Sequence, residues 1–217
     1  MILHGNIVQR DRCGFGKLHI SGTQITKIEY SDSCRSDENW ILPGFIDVHL
    51  HGIYDGDATA DKVELMVKSA PRSGLTTFCP ALASDTPENM LAFVKKVRDL
   101  MQHPIPGGTQ IAGSHLEGPY IEYVHRGGMN PEHIRPIDLD EIQKFLDAAA
   151  GTMKIMTLSP ELENAGAAIR LLTANKVLVS AGHTGLQPEK VDEFVQDGGR
   201  AICHLFDTFD PRETHDN

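Results

Sequence analysis

Four histidines and one glutamate stand at positions where they could share metal ions. His49 and His51 lie one residue apart in PGFIDVHLHG, a segment that otherwise has the apolar character of a buried strand. Alternate residues of a strand point to one face, about 6.6 Å apart along it, so both imidazoles can face one site. Glu117 in HLEGPY, His183 in SAGHTG and His204 in ICHLFD end other apolar runs. Imidazole nitrogen and carboxylate oxygen are ligands of Zn²⁺ and related ions.

Taken singly, each of these residues has an ordinary structural explanation. A histidine at a strand end is often a hydrogen-bonded structural residue, and Glu117 alone is typical of a solvated loop carboxylate. Their combination at equivalent ends of four strands favours a site for one or two divalent ions, with Zn²⁺ expected and Fe²⁺, Mn²⁺ or Co²⁺ as alternatives. His115 shares a face with Glu117 but lies deeper, which predicts a supporting or packing role. Surface or loop positions are predicted for His4, His19, His103, His125, His133 and His215.

The segments that must position these residues alternate between strand-like and helix-like patterns. Strands are predicted over residues 41–50, 76–83, 110–116, 154–158, 177–181 and 201–206. Helices are predicted over residues 61–73, 87–102, 139–150, 165–175 and 188–197. Such alternation predicts βαβ units and a parallel sheet.

The glycine-rich phosphate loops typical of nucleotide-binding sheets do not occur in this sequence. That leaves an α/β barrel as the favoured alternative to an open doubly wound sheet. The barrel would be of the (β/α)₈ type, with about six of its strands within this chain. In such a barrel the active site collects side chains from the C-terminal ends of distant strands.

A different pattern precedes the barrel segment. Short strands separated by glycine-rich turns are predicted over residues 2–8, 16–20 and 24–29, so residues 1–42 are predicted to form a small β unit. Residues 43–217 are then the barrel domain.

Charge and composition narrow the function classes. The net charge of −10 argues against a nucleic-acid or anionic-membrane partner, because both reward clustered Lys and Arg. We expect no signal peptide and no membrane span, since no apolar run of about 18 residues occurs. None of the four cysteines has C-x-x-C spacing, and Cys79 and Cys203 are predicted core residues, so a reducing cytoplasm is the expected location.

At these motifs the chain resembles the amidohydrolase superfamily and, within it, the N-acetylglucosamine-6-phosphate deacetylases. The matching segments run from about residue 40 to residue 209 and are PGFIDVHLHG, GLTTFCPAL, HLEGPYI, SAGHT and HLF. The resemblance implies a metal-dependent (β/α)₈ barrel with a small β domain. It implies metal ligands at Glu117, His183 and His204, with His49 and His51 completing a second site.

The same resemblance implies a reaction and a substrate. A metal-activated hydroxide would hydrolyse the acetamide of an N-acetylated amino sugar, phosphorylated in the family, to acetate and the amino sugar. Substrate contacts are implied near Gly128, Asp207 and Thr208. The implied partner is a small molecule, and a homo-oligomer is also implied because family members are commonly oligomers.

Two departures from the family pattern affect phosphate recognition. The family's Gly-Ala-His is here RGGMNP, with Gly128 at the Ala and Met129 at the His position, and its His-Leu-Tyr/Phe-Asn-Ala is here HLFDTF. Asp207 therefore replaces Asn, and a carboxylate beside a phosphate would repel it unless a cation intervened. Arg126 and Arg212 are the nearest candidates in the sequence. Alternatively, Asp207 only caps a turn.

The family's last two strands and its catalytic Asp are expected beyond residue 217, so no general acid or base is assigned within this chain. The sequence is therefore expected to be a fragment of a longer protein, which would bind metal but turn over poorly by itself. Two alternatives stay open: another superfamily hydrolase acting on a different N-acyl or cyclic amide, or an inactive truncated barrel that serves as a binding module.

Overall fold

The computed structural model describes residues 1–208 of the chain, which divides into two units, Met1–Phe45 and Ile46–Asn217. The first unit is a four-stranded sheet of order β3-β2-β1-β4. Its strands are β1 (Ile2–Val8), β2 (Cys13–Ser21), β3 (Gln24–Asp32) and β4 (Trp40–Ile41). The β1–β2 and β2–β3 pairs are antiparallel, and β4 joins β1 in parallel.

A disulfide bond joins Cys13 to Cys34 within this first unit. No pairing was predicted for these two cysteines, and a disulfide bond is uncommon in the reducing cytoplasm that the sequence led us to expect. Cys79 and Cys203 are free and buried, as predicted.

The second unit is built on a curled sheet with the form of a half-barrel, in which six strands follow one another and a short seventh strand, Gln110–Ile111, pairs in parallel with Leu75–Ala83. From one edge to the other the strand order is β13-β12-β11-β10-β8-β5. The strands from β13 to β8 in this order pair in parallel with their neighbours. The remaining strands are β5 (Phe45–Leu50), β6 (Gly52–Ile53), β7 (Gly56–Asp57), β8 (Leu75–Ala83), β9 (Gln110–Ile111), β10 (Ser114–Glu117), β11 (Met153–Leu158), β12 (Leu178–Ala181) and β13 (Ala201–Ile202). The predicted α/β class and the incomplete barrel are confirmed.

Five helices connect these strands: α1 (Val63–Ser69), α2 (Pro87–Gln102), α3 (Leu139–Ala149), α4 (Ala165–Ala174) and α5 (Val191–Asp197). Helix α2 begins after Thr86, whose hydroxyl accepts from the Asn89 amide, and α3 begins after Asp138, whose carboxylate accepts from two amides. Both residues satisfy backbone groups that a helix start leaves unpaired. Within residues 1–208 no helix combines the length and the apolar character needed to cross a bilayer.

The core lies between the sheet and the helices. All four residues of β10 are buried, as expected for a parallel strand covered on both faces. Leu116 of β10, Met156 of β11 and Val179 of β12 belong to one apolar cluster, which also includes Phe93 of α2 and Phe145 of α3. This packing fixes the strand ends that carry the site.

Several predicted elements are shorter or interrupted. The predicted strand 41–50 breaks at Pro43, which has no N–H to donate to a neighbouring strand. The predicted strand 201–206 ends at Ile202 because His204 and Phe206 have positive φ angles of 29° and 72°, which extended strands exclude. The predicted helices 61–73 and 188–197 are partly 3₁₀, at Ala70–Ser73 and Pro188–Lys190.

A partly buried ion pair holds the long segment between β10 and α3, with the Arg135 side chain 22% exposed and that of Glu141 11% exposed. Arg135 donates to the Glu141 carboxylate from Nε at 2.9 Å and to the Asp85 carbonyl at 2.9 Å. The Tyr120 hydroxyl donates to the same carboxylate at 2.5 Å. Burial, and then this hydrogen bond, raise the pKa of Tyr120.

Removing the carboxylate should leave the Arg135 guanidinium without its counter-ion. We expect Glu141→Ala to lower the free energy of unfolding by about 2–3 kcal/mol, measured by urea denaturation. Glu163→Ala, at an exposed carboxylate, should change it by no more than about 0.5 kcal/mol. Equal effects of the two substitutions would contradict a stabilising role for the ion pair.

Candidate metal centre

The carboxylate of Glu117 lies at the centre of the four predicted histidine ligands. Glu117 is the last residue of β10 and only 2% exposed. Its Oε2 is 3.2 Å from His49 Nε2 and 2.9 Å from His51 Nε2. Its Oε1 is 3.3 Å from His183 Nε2 and 2.9 Å from His204 Nε2. Each carboxylate oxygen therefore faces its own pair of imidazoles, as a carboxylate bridging two cations would.

The strand ends bring these residues together from distant parts of the chain. His49 lies in β5 and His51 directly follows it, with the two Nε2 atoms 3.1 Å apart. His183 follows β12 and His204 follows β13, both with φ in the left-handed region, at 52° and 29°. Such backbone conformations are uncommon outside glycine and cluster at functional sites.

In three of the four imidazoles the opposite nitrogen lies against a backbone carbonyl. Nδ1 of His51 lies 2.6 Å from the Ala81 carbonyl oxygen, and Nδ1 of His183 lies 3.0 Å from that of His125. Nδ1 of His204 lies 3.2 Å from the carbonyl oxygen of Asp207. A carbonyl only accepts, so each of these Nδ1 atoms carries the proton.

That tautomer decides what can lie between the rings and the carboxylate. In a neutral imidazole with Nδ1 protonated, Nε2 is an acceptor, and it cannot hydrogen-bond to another acceptor. The contacts with Glu117 are therefore favourable only if protons or metal ions lie between the atoms. Two ligands about 2.1 Å from one ion at tetrahedral angles lie about 3.4 Å apart, close to the observed spacing.

The pKa shifts around Glu117 also indicate that this site requires positive charge. Burial alone would raise the pKa of Glu117, but hydrogen bonds with His183, His49 and His51 lower it well below its usual range. The hydrogen bond with Glu117 raises the pKa of His51 against the effect of burial. Within residues 1–208 the ion-pair partners of Glu117 are all histidines, so no Lys or Arg there supplies the positive charge.

Two other histidines support the site without facing Glu117. His115 is bonded at both nitrogens, to the Val48 carbonyl at 3.0 Å and to the Thr157 hydroxyl at 2.8 Å. Burial, and then the nearby His49, lower the pKa of His115 to about 4. His125 was predicted to be a surface or loop residue. It does lie in a loop segment, in the 3₁₀ turn Tyr123–His125, but it is buried and not on the surface, and its carbonyl holds the His183 ring.

The substrate-binding positions predicted from the resemblance line the same cavity. This cavity has a volume of about 470 Å³, and Gly128, Asp207 and Thr208 surround it together with His51 and Glu117. Gly127 has φ 56°, and a Cβ there would lie 2.8 Å from Thr208 Cγ2, so glycine permits this close approach.

The two arginines considered as phosphate partners differ in outcome. Arg126 packs over the Tyr123 ring at 4.5 Å and donates to the Tyr123 carbonyl, and it does not line the cavity. Arg212 lies outside the described residues.

One residue in contact with the site was predicted only as a core residue. Cys203 is buried, but its Sγ lies 3.1 Å from His49 Nδ1 and 3.5 Å from Glu117 Oε1. Burial, and then the charge of Glu117, raise the pKa of this thiol to about 12. Its position next to His204 was the available signal in the sequence.

Comparison with known proteins gives a consistent family. Residues 40–161 match the amidohydrolase family. N-acetylglucosamine-6-phosphate deacetylase of Danio rerio is 34% identical over 179 residues, which cover 79% of this chain and 44% of that protein. The chain spans about half the length of the curated relatives it matches.

Two solved structures share the fold. The N-acetylglucosamine-6-phosphate deacetylase of Thermotoga maritima aligns with a TM-score of 0.84 and 28% identity, over 97% of this chain and 56% of that one. A variant of the Mycobacterium smegmatis enzyme, in complex with N-acetyl-D-glucosamine-6-phosphate, aligns with a TM-score of 0.83 and 28% identity, over 97% of this chain and 57% of that one.

The geometry predicts how metal content should respond to substitution. We expect the protein to retain about two equivalents of zinc after dialysis, measured by inductively coupled plasma mass spectrometry. His51→Ala and His183→Ala should each lose about one equivalent of zinc, because the two rings face different carboxylate oxygens. Glu117→Ala should lower the occupancy of both ions. His103→Ala, at an exposed histidine, is the control. Equal metal content in all variants would refute the bridging arrangement.

Proposed function

The chain belongs to the amidohydrolase family, and from that premise we propose that it supplies the metal site of a deacetylase acting on N-acetylated amino sugars. The proposed reaction is hydrolysis of the acetamide to acetate and the free amine, with N-acetylglucosamine-6-phosphate as the first candidate substrate. The relatives and solved structures that resemble the chain carry this name, which supports the choice.

One observation carries the proposal: four imidazoles turn their Nε2 atoms towards a single buried carboxylate. We propose His49, His51, Glu117, His183 and His204 as the ligands of one or two divalent ions, with zinc as the first candidate. The nitrogen and oxygen donors suit zinc, and Fe²⁺, Mn²⁺ and Co²⁺ accept the same set. When bound, such ions polarise a carbonyl and lower the pKa of a water molecule towards 7.

Other groups of this chain hold the proposed ligands in position. The buried Glu117 keeps the two histidine pairs on opposite sides of one carboxylate. The carbonyls of Ala81, His125 and Asp207 fix the rings by accepting from Nδ1, which raises the basicity of Nε2. The cavity beside them is open to solvent on one side and of a size that suits a monosaccharide.

We propose that substrate contacts come from Gly128, Asp207 and Thr208, which line this cavity. The exposed Gly128 can contact a substrate through its backbone atoms, and Thr208 can do so through its hydroxyl group. The proposed partner is therefore a small molecule, and we also propose a cytoplasmic location and a homo-oligomer.

Acetate release tests the reaction directly. We expect the zinc-loaded full-length protein to release acetate from N-acetylglucosamine-6-phosphate. Glu117→Gln should lower kcat/KM by about 10³-fold or more, because ions that are no longer held cannot supply several kcal/mol of stabilisation. Glu163→Gln, at an exposed carboxylate, serves as the control. Unchanged turnover in Glu117→Gln would overturn the proposed role of the site.

A second candidate substrate class is favoured by the charge of the cavity. Asp57, Asp85 and Asp207 line it, and no Lys or Arg of residues 1–208 does. Carboxylates repel a phosphate group, so an unphosphorylated N-acetyl amino sugar or another neutral N-acyl compound is the alternative.

Substitution of Asp207 separates the two substrate classes. We expect Asp207→Asn to raise kcat/KM for N-acetylglucosamine-6-phosphate about 3- to 10-fold relative to N-acetylglucosamine, because one like charge near the phosphate is removed. Asp192→Asn, on the exposed start of α5, should leave this ratio unchanged. A ratio that does not move in Asp207→Asn would show that Asp207 does not face the phosphate.

A further inference from the structure

His49 differs from the other three imidazoles around Glu117 in what holds its Nδ1. The other three Nδ1 atoms lie against backbone carbonyls. Among the described residues, the atom against His49 Nδ1 is the sulfur of Cys203, at 3.1 Å. The same sulfur lies 3.5 Å from Glu117 Oε1, the carboxylate oxygen that faces the other histidine pair. Cys203 therefore contacts both sides of the site.

The hydrogen-bonding capacities of these three groups are complementary. His49 presents Nε2 to Glu117 Oε2 at 3.2 Å, so an ion bound there requires the proton on Nδ1. The sulfur of a thiol can accept that proton weakly, and its own S–H can donate to Oε1. The hydrogen bonds then form a chain. His49 Nδ1–H donates to the sulfur, and the S–H group donates to Glu117 Oε1.

Packing leaves the sulfur little freedom to leave this position. Cys203 is 5% exposed and follows β13 directly. Gly182 lies against it, where a Cβ would be 2.7 Å from Cys203 Cβ and 2.7 Å from Thr157 Cγ2. A side chain at position 182 would therefore displace Cys203 from its present position.

We propose that Cys203 is a positioning residue, which holds the His49 ring in the tautomer and orientation that present Nε2 to a metal ion. The inference rests on the proposed metal site and goes beyond it, because Cys203 acts through His49 and does not bind the ion. Removing a residue that hydrogen-bonds to a metal-binding histidine typically lowers metal affinity 10- to 100-fold.

Zinc affinity of three variants tests the role. We expect Cys203→Ala to weaken zinc binding about 10- to 100-fold for one of the two ions, measured by competition with a chromophoric chelator. Cys203→Ser should recover most of that loss, because a hydroxyl also accepts one hydrogen bond and donates another. Cys79→Ala is the matched control, since Cys79 is also a buried free cysteine but lies in β8 away from the imidazoles.

A tautomer measurement distinguishes positioning from a general loss of packing. Long-range ¹H–¹⁵N NMR spectra of the zinc-loaded protein should show His49 protonated at Nδ1, and Cys203→Ala should alter the His49 signals while leaving those of His183 unchanged. Urea denaturation of each variant without metal establishes that it is folded.

The outcomes separate this inference from the proposed function. Equal zinc affinity and unchanged His49 signals in Cys203→Ala would overturn the role of Cys203 and leave the metal site intact. Absence of bound zinc in the unsubstituted protein would overturn both. With cobalt in place of zinc, an intense thiolate-to-cobalt charge-transfer band that disappears in Cys203→Ala would show a direct ligand and would also overturn positioning.

Discussion

The candidate site of the second unit is arranged around one buried negative charge. A carboxylate that is 2% exposed loses most of its hydration, and an unpaired buried charge costs far more free energy than a domain can spare. The acceptor atoms turned towards Glu117 cannot compensate it by themselves, because acceptors repel one another. The fold has therefore assembled a site that is complete only with added positive charge. Divalent ions would satisfy the carboxylate and the four imidazoles at once.

The parallel sheet is what makes that assembly feasible. Residues 49, 117, 183 and 204 are distant in the sequence, yet each stands at the C-terminal end of a strand in the same curled sheet. Buried apolar side chains hold the strands in register, so the strand ends keep fixed positions for the residues that follow them. The final adjustment is made by the backbone just beyond them, where His183 and His204 adopt left-handed conformations. Core packing thus sets the position of the ligands, and short strained segments set their direction.

The sequence predicted those parts of the molecule that depend on local pattern. Alternating strands and helices, the polar residues at strand ends, and the stripe that buries Met90 and Phe93 in α2 follow from periodicity alone. The contacts of Cys203 could not be predicted, because an apolar strand with a cysteine is the same pattern whether its sulfur faces the core or a ligand. The same holds for His125, whose contribution comes from a backbone carbonyl. The Arg135–Glu141 pair and the Cys13–Cys34 bond likewise depend on how segments pack in space.

The two sides of the site are joined by more than the shared carboxylate. Oε2 serves the His49 and His51 pair, whereas Oε1 serves His183 and His204, and a rigid carboxyl group ties their positions together. Cys203 adds a second connection, since its sulfur contacts a ring on one side and an oxygen on the other. A displacement on either side would therefore be transmitted across a few ångströms through stiff, buried groups. Such coupling favours a centre whose two sides act as a unit, with backbone carbonyls holding the His51, His183 and His204 rings.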